Sequence, residues 1–363
     1  MQMPQAKRPA ARLEGLDLAR YVAFVGMVIV NFKIAMGADA DAVIGSGTGS
    51  GTGMAHALTA ALEGRAAATF VVLAGIGLGL AGLKGLDQTV PVTIKRAVFL
   101  LVIGLLNMTI FDADILHYYA FYFLFGAALL PLRTRTLIWG VLGLNLLFVV
   151  GLMILDYDAG WDWDSYTYSG FWTVSGFVRN LFFNGWHPVV PWLGFLVFGI
   201  VLSRISLDAR GTQLRLVAGG AVALALVEGI SAVLTPLMAR IDPELVALVG
   251  TDPVPPVPFY FVAGCGAACI VVGLCLLMAD RMRRIGLLAV FGPAGRQTLT
   301  LYIAHVLIGM GTLEALGMLG GQSVGQAVWA SAVFCVCATV YAMIWARWFK
   351  RGPIEALMRK IAG

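Results

Sequence analysis

The sequence predicts an all-α, polytopic transmembrane helix bundle of about ten spans with both termini cytoplasmic, and three observations carry that reading. Apolar residues make up 60% of the 363 residues and charged residues only 12%. The mean hydropathy is +0.87, outside the range of chains whose main solvent is water. Apolar runs of about 20 residues, the length a helix needs to cross a hydrocarbon core of about 30 Å, recur along the whole chain. These runs are apolar on every side, whereas the strands of a membrane barrel would alternate polar and apolar positions.

In order, the runs fall near 17–37, 66–83, 97–112, 115–131, 137–155, 188–203, 216–238, 258–279, 297–317 and 325–346. An even count puts both ends of the chain on one side, and basic residues say which side. With the N-terminus inside, the cytoplasmic pieces carry nineteen of the 25 Lys and Arg residues, among them Lys84, Lys95, Arg96, Arg133, Arg135, Arg204, Arg281, Arg283, Arg284 and Arg351. The outer connections keep Arg65, Arg179 and Arg240 beside acids such as Asp39, Asp41, Asp156, Asp158, Asp162 and Asp164. One miscounted helix would invert every later loop, so the loop-by-loop agreement supports the count and the orientation together. The net charge of +5 then reflects topology and gives no reason to invoke nucleic acid. The chain divides into a basic N-terminal segment 1–16, which includes Lys7, Arg8 and Arg12, a transmembrane region 17–347 and a basic C-terminal segment 348–363. The first span is expected to be kept as an anchor, being too long and too charged at its outer end for a cleaved signal.

Two connections are long. One, from Asp39 to Glu63, contains the Gly/Ser/Thr run Gly45 to Gly53, which has no capacity to pack. The other, from Asp156 to His187, is rich in Trp, Tyr and Asp, and a helix lying in the interface is expected around Val174 to Phe183. A third, Arg240 to Pro258, holds Pro253, Pro255, Pro256 and Pro258 and reads as a stiff turn. Gly75 and Gly79, four apart in the second span, suit close helix contact. All five cysteines, Cys265, Cys269, Cys275, Cys335 and Cys337, fall in helices and read as small packing residues. Cys335 and Cys337 point to different faces, so no metal cofactor is expected. No internal repeat is evident, which weakens a reading based on inverted-repeat transport.

Ionisable groups at membrane depth are costly and therefore mark candidate sites. His56 precedes the second span, His117 opens the fourth and His187 opens the sixth, so three of the four histidines are expected at the outer leaflet. Asn31, Lys33, Arg65 and Asp114 reach the same level. Asp114 and His117 are three apart at a helix start and share a face, where the carboxylate can orient the imidazole. His187 stands in Asn184-Gly-Trp-His-Pro at a helix N-terminus, whose dipole favours the neutral imidazole a general base requires. Headgroup hydrogen bonding explains His117 and His187 as well as catalysis does, and solvent exposure explains His56. His305, deepest in its span, fits an interhelical hydrogen bond. On the cytoplasmic face Asp17 and Arg20 start the first span on one side of the helix, and Arg20 can grip a phosphate with paired donors.

The opening Leu16-Asp17-Leu-Ala-Arg20 with Met27 and Val30-Asn31 resembles the start of the membrane acyltransferases related to heparan-α-glucosaminide N-acetyltransferase and of YeiB-like bacterial membrane proteins. Further blocks follow in order: Gly64-Arg65 with Thr69-Phe70-Val71 and Leu73-Ala74-Gly75, Arg96 with Gly104-Leu-Leu-Asn107, and Asp114-Ile-Leu-His-Tyr-Tyr119. Gly295-Arg296 with Leu299-Thr300-Leu301-Tyr302, and the ending Trp348 to Glu355, look YeiB-like. The resemblance implies a multi-pass protein of the bacterial inner membrane that moves an acyl group, typically acetyl, from cytoplasmic acyl-CoA to a glycan or glycolipid acceptor outside. It places the working histidine ahead of the second family helix, within a few residues of His56. Two departures are Tyr21, where the family usually has Gly, and Asn107, where YeiB-like members often have His. On this reading the donor phosphates dock near Arg20, with Asp17 and Arg96 beside them. His56, or failing it His187, is the base, and Asn31 or Arg65 stabilises the oxyanion, with Asn184 and His305 as further polar contacts. The expected partners are membrane lipids, the acceptor and a second copy of the chain. A transporter or flippase using Asn31, Glu228 and His305 is the alternative, and a non-enzymatic scaffold a third.

Overall fold

The computed structural model describes residues 13–38, 52–163 and 165–363. Most of the N-terminal basic segment, Asp39, Asp41, the Gly/Ser/Thr run up to residue 51 and Asp164 lie outside the described residues. The rest is mostly helical, because a chain this apolar has no partner for its backbone in lipid other than itself. The elements run α1 (Glu14–Ala35), α2 (Thr52–Leu62), α3 (Arg65–Gly82), α4 (Leu86–Asn107), α5 (Leu116–Leu129) and α6 (Thr134–Ile154). A two-residue hairpin follows, β1 (Trp161–Asp162) with β2 (Thr167–Tyr168), in register Trp161 to Tyr168. Then come α7 (Val174–Arg179), a π turn (Asn180–Asn184), α8 (Val189–Leu202), α9 (Arg210–Ile241), a 3-10 turn (Pro243–Leu248) and α10 (Pro258–Arg284). The chain ends in α11 (Leu287–Arg296), α12 (Thr298–Ala304), a second π turn (His305–Met310), α13 (Gly311–Ala315), α14 (Val324–Trp345) and α15 (Pro353–Ala362).

Each of the ten expected runs contains a helix, and the molecule is an all-α multi-pass membrane bundle. Among the described residues eight helices are long and apolar enough to cross a membrane, or nine if the pair Val174–Asn184 and Val189–Leu202, bent by 50°, is one span. The two expected spans that fall short are α5 and α8, of 14 residues each, about 21 Å at 1.5 Å per residue. Helix α4 starts eleven residues before the apolar run at 97, because Asp87, Lys95 and Arg96 lower the hydropathy of its first turns without breaking the helix. Pro91 sits inside α4 as well. The helix expected at Val174 to Phe183 is present as α7 with its π turn.

Small residues set the closest crossings. A Cβ at Gly75 would lie 2.0 Å from the Leu196 carbonyl oxygen and one at Gly199 2.1 Å from that of Val72, so α3 and α8 touch backbone to backbone. That bears out the packing role read for Gly75, and Gly79 meets Ser203 on the same helix pair. The cysteines are free, and all but Cys337 are buried or partly so.

Candidate active site

The turn between α4 and α5 must end one helix and begin another within a few residues, and Asp114 organises it. Its Oδ2 accepts the free backbone N–H groups of Leu116 (2.8 Å) and His117 (3.3 Å), which the first turn of a helix leaves without partners. Its Oδ1 accepts from Asn107 Nδ2 at 2.7 Å and from the Tyr302 hydroxyl at 3.1 Å. The Tyr302 hydroxyl also accepts from Ile115 N at 3.3 Å. Asp114 and His117 are both fully buried. The approach is close enough that a Cβ at Gly104 of α4 would lie 2.3 Å from His117 N.

His117 Nδ1 lies 3.4 Å from Asp114 Oδ2. A carboxylate accepts, so Nδ1 carries a proton, and in the neutral ring Nε2 holds the lone pair. Nε2 is buried and has no hydrogen-bond partner. The imidazole sits against the rings of Tyr118, at 3.9 Å between centroids, and Phe171, at 5.7 Å. On the far side of Tyr118, at 5.8 Å, is the ring of His187, which also packs edge-on against Trp192 at 4.6 Å. His187 Nδ1 is another buried atom without a partner, while its carbonyl oxygen accepts from the Tyr122 hydroxyl. The Tyr118 hydroxyl donates to Asn180 Oδ1 at 2.6 Å.

A second branch leaves Asp114 through Tyr302. The carbonyl of Tyr302 accepts from His305 Nδ1, so Nε2 of His305 must accept from Asn31 Nδ2, 2.9 Å away. The interhelical bond expected for His305 is there. Residues from α1, the 108–115 turn, α5, the π turn 180–184 and the second π turn thus form one polar chain from Asn31 to Asn180. Both π turns found among the described residues fall in it, in keeping with the habit of such turns to mark functional sites.

The other expected site residues lie elsewhere. His56 is exposed on α2, which packs on α1, α3 and α14. Arg65 is paired with Glu228, whose second oxygen accepts from Thr251 Oγ1 at 3.1 Å. Asn184 gives both amide protons to the carbonyls of Tyr157 and Ala159, at 2.8 and 2.9 Å, and accepts from Tyr168, so it ties the long connection together. Arg20 donates to Asp17 at 2.8 Å, and the Asp17 backbone packs where a Cβ at Gly295 would stand, 1.8 Å away. Arg96 has a buried Nε without a partner and the like charge of Arg359 as its electrostatic neighbour. Sequence reasoning missed Asn107, Tyr118, Asn180 and Tyr302 as functional groups. Asn107 and Tyr302 each close a family-like block, which was the available signal. Asn180 had none, since only the fold brings it to Tyr118.

Fold and site together define a multi-pass membrane protein built around a buried histidine–carboxylate dyad. The chain belongs to the family described as heparan-alpha-glucosaminide N-acetyltransferase, catalytic, whose model matches residues 12–227, more than half of its length. A second model, described as a protein of unknown function (DUF418), matches residues 206–363. No curated protein and no solved structure matches the chain.

Proposed function

We propose that the chain is a bacterial inner-membrane acyltransferase that moves an acyl group, typically acetyl, from cytoplasmic acyl-CoA to a glycan or glycolipid acceptor on the outer side. The observation that carries this reading is His117. It is a buried imidazole held through Nδ1 by a buried carboxylate, with Nε2 unpartnered, the arrangement a general base needs. Nε2 takes the proton of an acceptor hydroxyl or amine as its oxygen or nitrogen bonds to the thioester carbonyl carbon. The C–S bond then breaks, and the departing CoA thiolate takes the proton back from the imidazolium. Burial among the helices keeps water from competing as the acceptor. Asp114 positions His117, and Asn107 and Tyr302 position Asp114. Asn31 and Arg65 are committed to His305 and Glu228, so this reading gives them positioning roles rather than the oxyanion.

The donor side of the proposal rests on Arg96, Arg359 and Arg20. A guanidinium with an unpartnered buried nitrogen beside a like charge is a place an anionic phosphate would stabilise. Glu228, on which a transport reading leans, already has two partners.

Membranes bearing the chain, supplied with labelled acetyl-CoA and an acceptor mixture, test this. His117→Gln should lose about 10²–10⁴-fold in transfer rate, the usual worth of a positioned base, and His56→Ala should keep full rate. Full activity in His117→Gln together with loss in His56→Ala would return the base to the helix ahead of the second span.

A further inference from the structure

The connection between α6 and α8 packs most of its aromatic rings on one another, Trp161 stacking on Trp163 at 4.6 Å, but leaves Trp172 exposed. A cleft of about 250 Å³ opens between it and the 108–115 turn, lined among others by Asp112, Trp161, Phe171, Trp172, Asn180 and Trp186. Trp161 meets Trp186 edge to face at 5.1 Å, and Trp172 meets Phe171 at 5.1 Å while remaining 68% exposed. The cleft also holds uncommitted polar atoms. Trp186 Nε1 is buried without a partner. Among the described residues, Asn180 spends Oδ1 on Tyr118 and has no partner for its amide nitrogen, and the Asp112 carboxylate has no hydrogen bond.

We infer that this cleft seats one pyranose unit of a saccharide, its C–H face on the exposed Trp172 indole and its hydroxyls on Asp112, Asn180 and Trp186. A sugar ring presents an apolar face with a rim of groups that both donate and accept. Ring faces with one carboxylate acceptor and two N–H donors match both halves. A phosphate headgroup does not match, since no Lys or Arg among the described residues lines the cleft and Asp112 would repel it. The volume suits a single ring, being below the usual range for drug-sized ligands. Two side chains join the seat to the dyad, because Phe171 packs on His117 and Asn180 holds Tyr118. The role of this sugar as the acyl acceptor rests on the function proposed above, whereas its binding does not.

The test reads binding in the absence of any acyl donor. The full chain in detergent is titrated with methyl glucoside, methyl glucosaminide and maltose, followed by tryptophan fluorescence and calorimetry, with sorbitol and phosphocholine as controls. A saturable response to a pyranoside and none to the controls is expected. Trp172→Ala, at an exposed position, and Asp112→Asn should each weaken it at least about tenfold, or about 1.4 kcal/mol. Absence of a saturable response to all three sugars, or unchanged affinity in Trp172→Ala, overturns the inference. Sugar binding without acetyl transfer would support the cleft and sink the acyltransferase reading. Transfer to a sugar that is indifferent to Trp172→Ala would do the reverse.

Discussion

Asp114 is the residue on which the others depend, since five donors converge on its two oxygens. Asp114→Asn keeps the shape but replaces one acceptor oxygen by a donor, which then faces donors already in place. The imidazole loses the partner that fixes its tautomer, so transfer should fall by about 10²–10⁴-fold, the same order as loss of the base itself. Tyr302→Phe removes one of the five bonds and the acceptor of Ile115 N. It should cost about 1 kcal/mol in stability and reduce rate much less than Asp114→Asn. Initial rates and thermal melts of the two variants check this, and equal rate losses would mean that Tyr302 touches the substrate. The pairing of Asp114 with His117 was legible from their spacing of three at a helix start. The tautomer, the orphaned Nε2 and the committed state of Arg65 were not, because each depends on which distant helix supplies the partner.

Among the elements, the apolar core of each helix was legible in the sequence, while its polar ends and breaks were not. Hydropathy shows neither the first eleven residues of α4 nor the π turn that offsets His305 from Tyr302. It also hides α15, which is too polar to register, although Glu355 closes one of the family-like blocks. That carboxylate receives the first N–H groups of α12, Leu299 N at 2.8 Å and Thr300 N at 3.1 Å, together with the Thr300 hydroxyl. The C-terminal helix therefore caps the helix that carries Tyr302 and leads into His305. Burial pushes the Glu355 carboxyl above its ordinary value, against the opposing pull of those donors. A carboxyl raised on folding binds its proton more tightly in the docked state, so its contribution is complete at low pH and is lost as pH climbs through the raised value. Amide exchange at Leu299 and Thr300 should therefore quicken as pH rises beyond the intrinsic pH dependence of exchange, and Glu355→Gln should abolish that excess. At the other contact, Gly104→Ala drives a methyl into the His117 backbone. It should destabilise the chain by about 1–3 kcal/mol and slow transfer, read by melting and by rate.

At the scale of the whole molecule, the two short helices decide how deep the site lies. Arg204, just past the end of α8, donates to the Leu130 carbonyl and the Thr134 hydroxyl, both at 3.0 Å, so α5 and α8 finish at one level. Arg133 and Arg135 sit beside that level, and clustered arginines anchor a helix end at the cytoplasmic interface. Each helix is about 21 Å long against a core of about 30 Å. The shortfall of about 9 Å must then fall at the opposite ends, where α5 begins beside His117 and α8 beside His187. The dyad would be recessed below the outer headgroups and roofed by the aromatic connection. This depth follows from an orientation that the basic loops predict, and a labelling experiment checks it. In a chain stripped of its own cysteines, a single cysteine replacing Arg135 should react with an impermeant maleimide only in inside-out vesicles. One replacing Trp172 should react only in right-side-out vesicles, and one replacing Tyr118 with neither unless a small permeant reagent is used. Labelling of position 135 from outside would invert the bundle and place the proposed sugar cleft on the cytoplasmic side with the proposed acyl-CoA donor, so the proposed transfer would not cross the membrane at all.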